Sequence, residues 1–334
     1  MEGPLADWEH SFLPVVRHWL ARQNCYPFEY TDSPRDADII VILEANSFKT
    51  EKYIATLLAN PLLKEFSNKC FTINYEDAPS GFLPGLYTCL PRVKNNALRH
   101  RSWAYVFRTN ADVTLRRRSW TSSPRLLFSF RGSPNSHPIR KRLFACKFKS
   151  PYAFSVTQVD KWFNHNEEER ADYIDEILDS SFCLCPRGVG PGTIRLFEIM
   201  AAGRCPVILS DDWVPIPGID WNSCAIRIPE SALESIPEAL TSRILDSPIL
   251  GAAALRYWKK LFSPENMFGE SLNQLMQIAG SRSAGYNEKD YQKLWQSRAF
   301  YKLNGWTLEQ RVSRKLATLR SQWACFSSGL VSRH

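Results

Sequence analysis

The stretch SFCLCPRGVGPGTIRLFEIMAAGRCPVILSDDWVPIPGIDW occupies residues 181–221. Phe182, Cys183, Leu184 and Cys185 make an apolar run too short for a helix. It is closed by Pro186-Arg187-Gly188-Val189-Gly190-Pro191-Gly192, a loop of residues that permit unusual backbone angles. This predicts a buried strand feeding a glycine-rich turn. From Thr193 the pattern turns helical: Ile194, Phe197, Ile199, Met200 and Ala201 are apolar, and Arg195 and Glu198 stand three apart on one face. Gly203 ends the helix, and residues 205–209 (CPVIL) form a second apolar run. Strand, helix and strand in this order build a parallel sheet.

A glycine-rich loop entering a helix offers free backbone N–H groups and the positive end of the helix dipole, which together favour a phosphate. Arg187 and Arg195 flank that loop, and Glu198, one turn further in, has acceptor positions on both oxygens for two adjacent ribose hydroxyls. Diphosphate plus ribose describes a nucleotide. A plain capping loop whose Arg and Glu pair on the surface remains open on these residues alone.

Outward from this unit the chain alternates strands and helices. Residues 38–44 (DIIVILE) and 69–75 (KCFTINY) are continuous apolar runs, as in strands buried on both faces, and residues 47–66 between them read as helix broken at Asn60-Pro61. Residues 79–85 (PSGFLPG) read as a loop whose aromatic and glycine content suits the wall of a sugar site, or a plain surface loop. Residues 103–107 (WAYVF) and 126–130 (LLFSF) are further apolar runs, and the polar, Ser- and Pro-containing residues 116–124 between them mark a domain boundary. Helices are expected after His137, over 168–178 and over 236–245, and a short strand over 226–228. Thr307 and Gln310 form a capping-box pattern, and Leu308, Val312, Leu316, Leu319 and Trp323 recur at helical spacing, so a long amphipathic helix closes the chain. The expected organisation is a domain over 1–122, a second over 123–305, and a terminal helix over 306–334.

At 334 residues with 44% hydrophobic content the chain has material for two cores. No window reaches the length and apolarity of a membrane span, and Asp7, Glu9, Arg17 and Arg22 interrupt anything resembling a signal peptide, so a cytoplasmic protein is expected. Cys183 and Cys185 share a strand face among apolar neighbours and read as buried thiols; no second pair at zinc-finger spacing accompanies them. The net charge of +8 is unevenly placed: residues 92–149 hold fifteen Lys and Arg against one acid, Asp112. Such a field attracts a sugar diphosphate, a phosphorylated lipid carrier or nucleic acid. No recognised nucleic-acid fold motif is present.

The order aromatic-Cys-Leu-Cys-Pro, then Arg195, two apolar residues, Glu198, Gly203, Pro206-Val207 and Ser210-Asp211-Asp212 before Trp-Val-Pro resembles the donor-site block of the exostosin family of inverting glycosyltransferases. Weaker similarity touches residues 75–91 and 130–143; Arg204 and the short segment 213–221 depart from the pattern. The resemblance implies an α/β fold of the GT-B type, two Rossmann-like domains facing a cleft, with the sugar nucleotide on the C-terminal one and the terminal helix bracing back onto the first. It implies that Arg131 and Arg140 face the diphosphate, and with Arg187, Gly188, Gly190, Thr193, Arg195 and Glu198, the last toward the ribose, they make up the expected sugar-nucleotide binding set. The implied co-substrate is a nucleoside diphosphate sugar with no further cofactor, and the acceptor a glycan or lipid-linked glycan.

Inversion needs a base for the acceptor hydroxyl and electrophilic help for the departing diphosphate. Arginines and helix N–H groups can give that help, and Asp211-Asp212 lacks the one-residue gap of the Asp-any-Asp metal motif, so no metal is expected. Acids at strand ends, Glu44, Glu76, Asp77 and Asp112, are the base candidates, with Asp77 and Asp112 in front. Two other classes stay open: a subunit that binds sugar nucleotide, or braces a partner, without catalysis, and a nucleic-acid-binding protein. Docking at the inner membrane surface through Arg311, Arg314, Lys315 and Arg320 is the alternative role of the last helix.

Overall fold

The computed structural model describes residues 21, 27–44, 51–105, 124–159 and 166–304. Two parallel sheets organise them. The first has the order β1-β2-β3-β4, from β1 (Ile40–Glu44), β2 (Cys70–Asn74), β3 (Gly85–Tyr87) and β4 (His100–Ser102). Between β1 and β2 lie α1 (Glu51–Ala59) and α2 (Pro61–Phe66), separated where expected: the Asn60 side chain accepts from the Leu62 N–H, and Pro61 starts the new helix without needing a donor.

β3 begins at Gly85, the last residue of the stretch that reads in sequence as loop. A Cβ on Gly85 would lie 2.0 Å from the Thr72 carbonyl oxygen, so only glycine lets this short strand close onto β2. The fourth strand lies just before the apolar run expected to form it: Trp103, Ala104 and Tyr105 are buried in irregular backbone after β4, and residues 106–107 lie outside the described residues. The loop of residues 79–85 is no exposed wall. Phe82 and Leu83 are buried, with Phe82 set edge-on to Trp295 at 5.6 Å between ring centroids.

The second sheet has the order β6-β5-β7-β8-β9. It is made by β5 (Leu126–Gly132), α3 (Pro138–Ala145), β6 (Ser155–Gln158), α4 (Glu167–Leu178), β7 (Ser180–Pro186), α5 (Ile194–Ala202), β8 (Cys205–Leu209) and β9 (Ile226–Arg227). β7 and β8 pair in parallel through every residue from Phe182 to Pro186, and α5 ends at Gly203 with φ 71°, a left-handed cap that glycine adopts without steric cost. Cys183, Cys185 and Cys205 are buried thiols within this sheet.

Five helices follow: α6 (Ile236–Thr241), α7 (Ser247–Leu261), α8 (Met267–Gly280), α9 (Glu288–Leu294) and α10 (Arg298–Asn304). They return the chain to the first sheet. The Trp103 indole N–H donates to Ser271 Oγ of α8 at 3.0 Å. Arg99 pairs with Glu288 of α9 in full burial, donates to the Phe82 carbonyl at 2.9 Å and lies 3.4 Å from the Tyr291 ring centroid. Trp295 and Tyr301 complete a core with Ile54, Leu57 and Leu63. This return is made before residue 305; the helix expected over 306–334 and the boundary placed at 122/123 lie outside the described residues. A second core is shared by both sheets, joining Phe71, Leu86 and Trp103 to Phe197 and Met200 of α5 and to Phe262 and Leu275. No helix among the described residues is long and apolar enough to cross a membrane.

Candidate functional site

The loop of residues 187–192 leaves the carboxyl end of β7 and enters α5 at Thr193, the N-cap. Its extended backbone (φ −147°, ψ 137°) opens the helix without a side-chain cap bond, so the first-turn N–H groups point at the loop without a side-chain acceptor. α3 runs close by. The Arg140 guanidinium donates from Nε to the Arg187 carbonyl at 2.9 Å and from Nη2 to the Pro186 carbonyl at 3.2 Å, and lies over the Phe130 ring at 5.6 Å. Gly132 and Gly188 border it: a Cβ on either would sit 3.7 Å from a guanidinium nitrogen. Arg195 stacks between the rings of Phe130 (4.9 Å) and Tyr173 (4.7 Å) and donates to the Arg131 carbonyl.

Among the described residues no carboxylate lies within ion-pair distance of Arg140 or Arg195. Burial first, and the neighbouring Arg195 second, bring the Arg140 pKa down to about 10. Two guanidiniums held near each other without a carboxylate partner among the described residues, at the open end of a helix, are the chemistry that suits a multiply charged anion. Ser136 adds a hydroxyl near Gly188 that is buried and has no hydrogen-bond partner; the sequence signal for it is only its place before the α3 cap residue His137.

The other cations expected here are held elsewhere. Arg131 donates to Glu176 at 2.8 Å with Asp172 at 3.9 Å, and Arg187 donates to Asp212 at 2.9 Å with Glu230 at 3.8 Å. Glu198 is buried beneath Arg195 on α5, and one of its oxygens accepts from the Tyr173 hydroxyl. Asp211 accepts from the Glu230 backbone N–H. Among the described residues no group of three or more His, Cys, Asp or Glu is placed to hold a metal ion.

The base candidates separate. Glu44 is buried at the end of β1, accepting from Tyr53 at 2.7 Å and Asn74 at 3.1 Å, and Glu76 is buried beside it. Asp112 lies outside the described residues. Asp77 is exposed and accepts from the Tyr105 hydroxyl at 2.8 Å. It stands against the glycine loop of the second sheet: a Cβ on Gly190 would be 2.4 Å from the Asp77 carbonyl oxygen, and the Asp77 charge reaches Arg140. Loop, arginine pair and carboxylate therefore form one constellation across the ends of two parallel sheets, where open α/β folds take their ligands.

The fold is a mixed α/β one with two parallel sheets and a candidate anion site at their ends. The chain belongs to the exostosin GT47 domain family of glycosyltransferases, whose model matches residues 9–243. It is 40% identical over 101 residues to an exostosin-1 homologue of Caenorhabditis elegans, covering 29% of this chain and 26% of that protein. It is 30% identical over 157 residues to exostosin-1 of Drosophila melanogaster, covering 41% of this chain and 20% of that one. It is 31% identical over 126 residues to a protein described as a probable glucuronosyltransferase of Oryza sativa subsp. japonica, covering 34% and 28%. The matched part of this chain thus spans about a quarter of the length of these relatives.

Proposed function

We propose that this chain is an inverting, metal-independent glycosyltransferase of the GT-B type that transfers a sugar from a nucleoside diphosphate to a glycan acceptor in polysaccharide or glycoconjugate synthesis. The observation that carries this is the Arg140 and Arg195 pair, held without a carboxylate partner among the described residues near the start of α5 inside the family-matched region. The diphosphate lies on those guanidiniums and on the first-turn N–H groups of α5, with Ser136 as a further donor. Glu198 serves the ribose, sharing its carboxylate with Tyr173.

Asp77 acts as the base. As the acceptor oxygen bonds to the anomeric carbon its proton passes to the free Asp77 oxygen, and the bond from that carbon to the diphosphate oxygen breaks. The electron pair leaves with the nucleoside diphosphate, whose new charge meets the two guanidiniums in a poorly solvated place where such contacts act most strongly. The name of the rice relative makes a glucuronosyl group the first donor to try.

Calorimetry with nucleoside diphosphates, and donor hydrolysis or transfer with a panel of sugar nucleotides, test the proposal. Binding of at least one nucleoside diphosphate, turnover of its sugar derivative with inversion, and loss of turnover with retained binding in Asp77→Asn are expected. No binding across the panel, or retention of configuration at the transferred sugar, refutes it. Binding without turnover by the parent favours the non-catalytic sugar-nucleotide subunit instead.

A further inference from the structure

Tyr105 follows β4 and is 3% exposed, with its hydroxyl placed between Asp77 and Cys89. A phenol has one proton. Given to Asp77 Oδ1, it leaves the phenol oxygen as an acceptor, and the group on that side is Cys89 Sγ. Burial pushes the Cys89 thiol up to about 12 and raises the Tyr105 phenol too, so both hold their protons at neutral pH. The chain of hydrogen bonds therefore runs one way, from Cys89 S–H to the Tyr105 oxygen and from Tyr105 O–H to the carboxylate.

The same residues seat the glycine loop. A Cβ on Gly190 would lie 2.2 Å from Cys89 Sγ, and one on Gly192 would lie 2.3 Å from the Thr88 carbonyl oxygen and 3.2 Å from Tyr105 Cε2. Loop backbone and carboxylate thus rest on a common support from the ends of β3 and β4. Other charges near this support are Arg140 of α3, whose field reaches Asp77, and Arg187 of the loop, whose field reaches Cys89.

We infer that Tyr105 is a positioning residue for Asp77: it ties one carboxylate oxygen to the protein so that the other faces an acceptor hydroxyl, in fixed register with the loop of residues 187–192. The inference rests on the reading of Asp77 as the base. A hydroxyl on a buried ring, one side of it spoken for by a thiol, has no freedom to follow a wandering carboxylate, and that rigidity is what a proton acceptor at a reacting centre needs.

Tyr105→Phe tests it, because the ring that packs against Gly192 stays and only the hydroxyl is lost. Removing a hydrogen bond to a charged group corresponds to roughly a ten- to hundredfold loss in kcat. Nucleoside diphosphate affinity and donor KM should stay at the parental value. A purely structural tyrosine would lower thermal stability and leave kcat at the parental value. Parental kcat in Tyr105→Phe, with Asp77→Asn inactive, overturns this inference alone. Transfer that survives in Asp77→Asn overturns the base assignment, and this inference with it.

Discussion

Replacing Arg140 by Met should weaken nucleotide binding by about two orders of magnitude while leaving the unliganded fold nearly as stable as the parent. The guanidinium is held at a pKa of about 10, well below the usual guanidinium range, so its charged form is disfavoured in the free protein by roughly 3 kcal/mol. Because the folded pKa is lowered, that cost is present at every pH below about 10 and vanishes only as pH rises from there into the usual guanidinium range. Against it stand two donated hydrogen bonds, to the carbonyls of Arg187 and Pro186, worth about 1–3 kcal/mol together once the carbonyls are left unpaired. The two terms nearly cancel, and Met fills most of the volume beside Phe130. Binding has no such cancellation. Even one lost charge-assisted contact to the diphosphate, about 3 kcal/mol, weakens Kd on the order of 100-fold. Arg99→Met is the control with the opposite signature: it leaves Glu288 buried without its cation, costing about 3–5 kcal/mol of stability while the site is untouched. Calorimetry with a nucleoside diphosphate and thermal melts of both variants are the assays. A Kd for Arg140→Met within about threefold of the parent, far below the order-of-magnitude loss expected for one contact, refutes the reasoning. So does a melting temperature as depressed as that of Arg99→Met.

Gly190→Ala puts a methyl group 2.2 Å from Cys89 Sγ and 2.4 Å from the Asp77 carbonyl oxygen, so the loop must move by about 1 Å; a displacement of that size at a reacting centre costs on the order of 100-fold in turnover, checked by steady-state kinetics with circular dichroism unchanged. His100 is buried, accepts from the Asn96 N–H at Nδ1 and so presents Nε2–H to the Gly81 carbonyl; its pKa is brought down to about 3, mainly by burial. Its unfolded form takes up a proton first, so stability falls as pH drops from about 6.5 toward 3, by roughly 2–3 kcal/mol at pH 4.5, and urea titrations of His100→Asn should lose that slope. Transfer should persist in excess EDTA; loss of turnover that Mn²⁺ restores would mean that the arginine pair is not what meets the leaving group.

The strand-helix-strand unit around residues 181–209 was legible because each part carries its own local signal: apolar runs buried on both faces, a loop of glycine and proline, and a glycine whose φ of 71° ends the helix. β3 and β4 carry no such signal. Each has three residues, and β3 exists because Gly85 lets it approach Thr72, a contact with a residue of the neighbouring strand. Phe82 reads like a surface aromatic until Trp295, from the far end of the chain, covers it. At the site, sequence ranked the arginines alike. What divides them is a carboxylate brought from elsewhere: Glu176 takes Arg131 and Asp212 takes Arg187, whereas Arg140 and Arg195 face aromatic rings and carbonyls. Asp77 and Asp112, put in front of Glu44 and Glu76 on sequence, were left undecided between them for the same reason, and the approach of Gly190 to Asp77 across two sheets is what brings Asp77 to the site.

The same sorting explains what the basic block over residues 92–149 amounts to once folded. Nucleic-acid binding by counterion release counts solvated cations on one face, nearly irrespective of which residues they are. Here Arg99 is buried against Glu288, Arg125 meets Asp179, Arg131 meets Glu176, and Arg92 and Arg142 donate to the carbonyls of Trp213 and Glu230. Lys141, Lys147 and Lys149 are exposed and solvated. Among the described residues of the block, several cations are thus tied to single acids or carbonyls, Arg92, Arg125 and Arg142 at the surface and Arg99 in the core, rather than gathered on one open face. Arg140 differs from these in combining three features: it is half-buried, it has no carboxylate partner among the described residues, and Arg195 lies close enough to depress its pKa. Two like charges held together by aromatic stacking and by donation to carbonyl oxygens would be pushed apart in an ordinary core. Their juxtaposition makes physical sense when a dianion arrives between them, and that is the reason the diphosphate reading accounts for the block better than a nucleic-acid surface does.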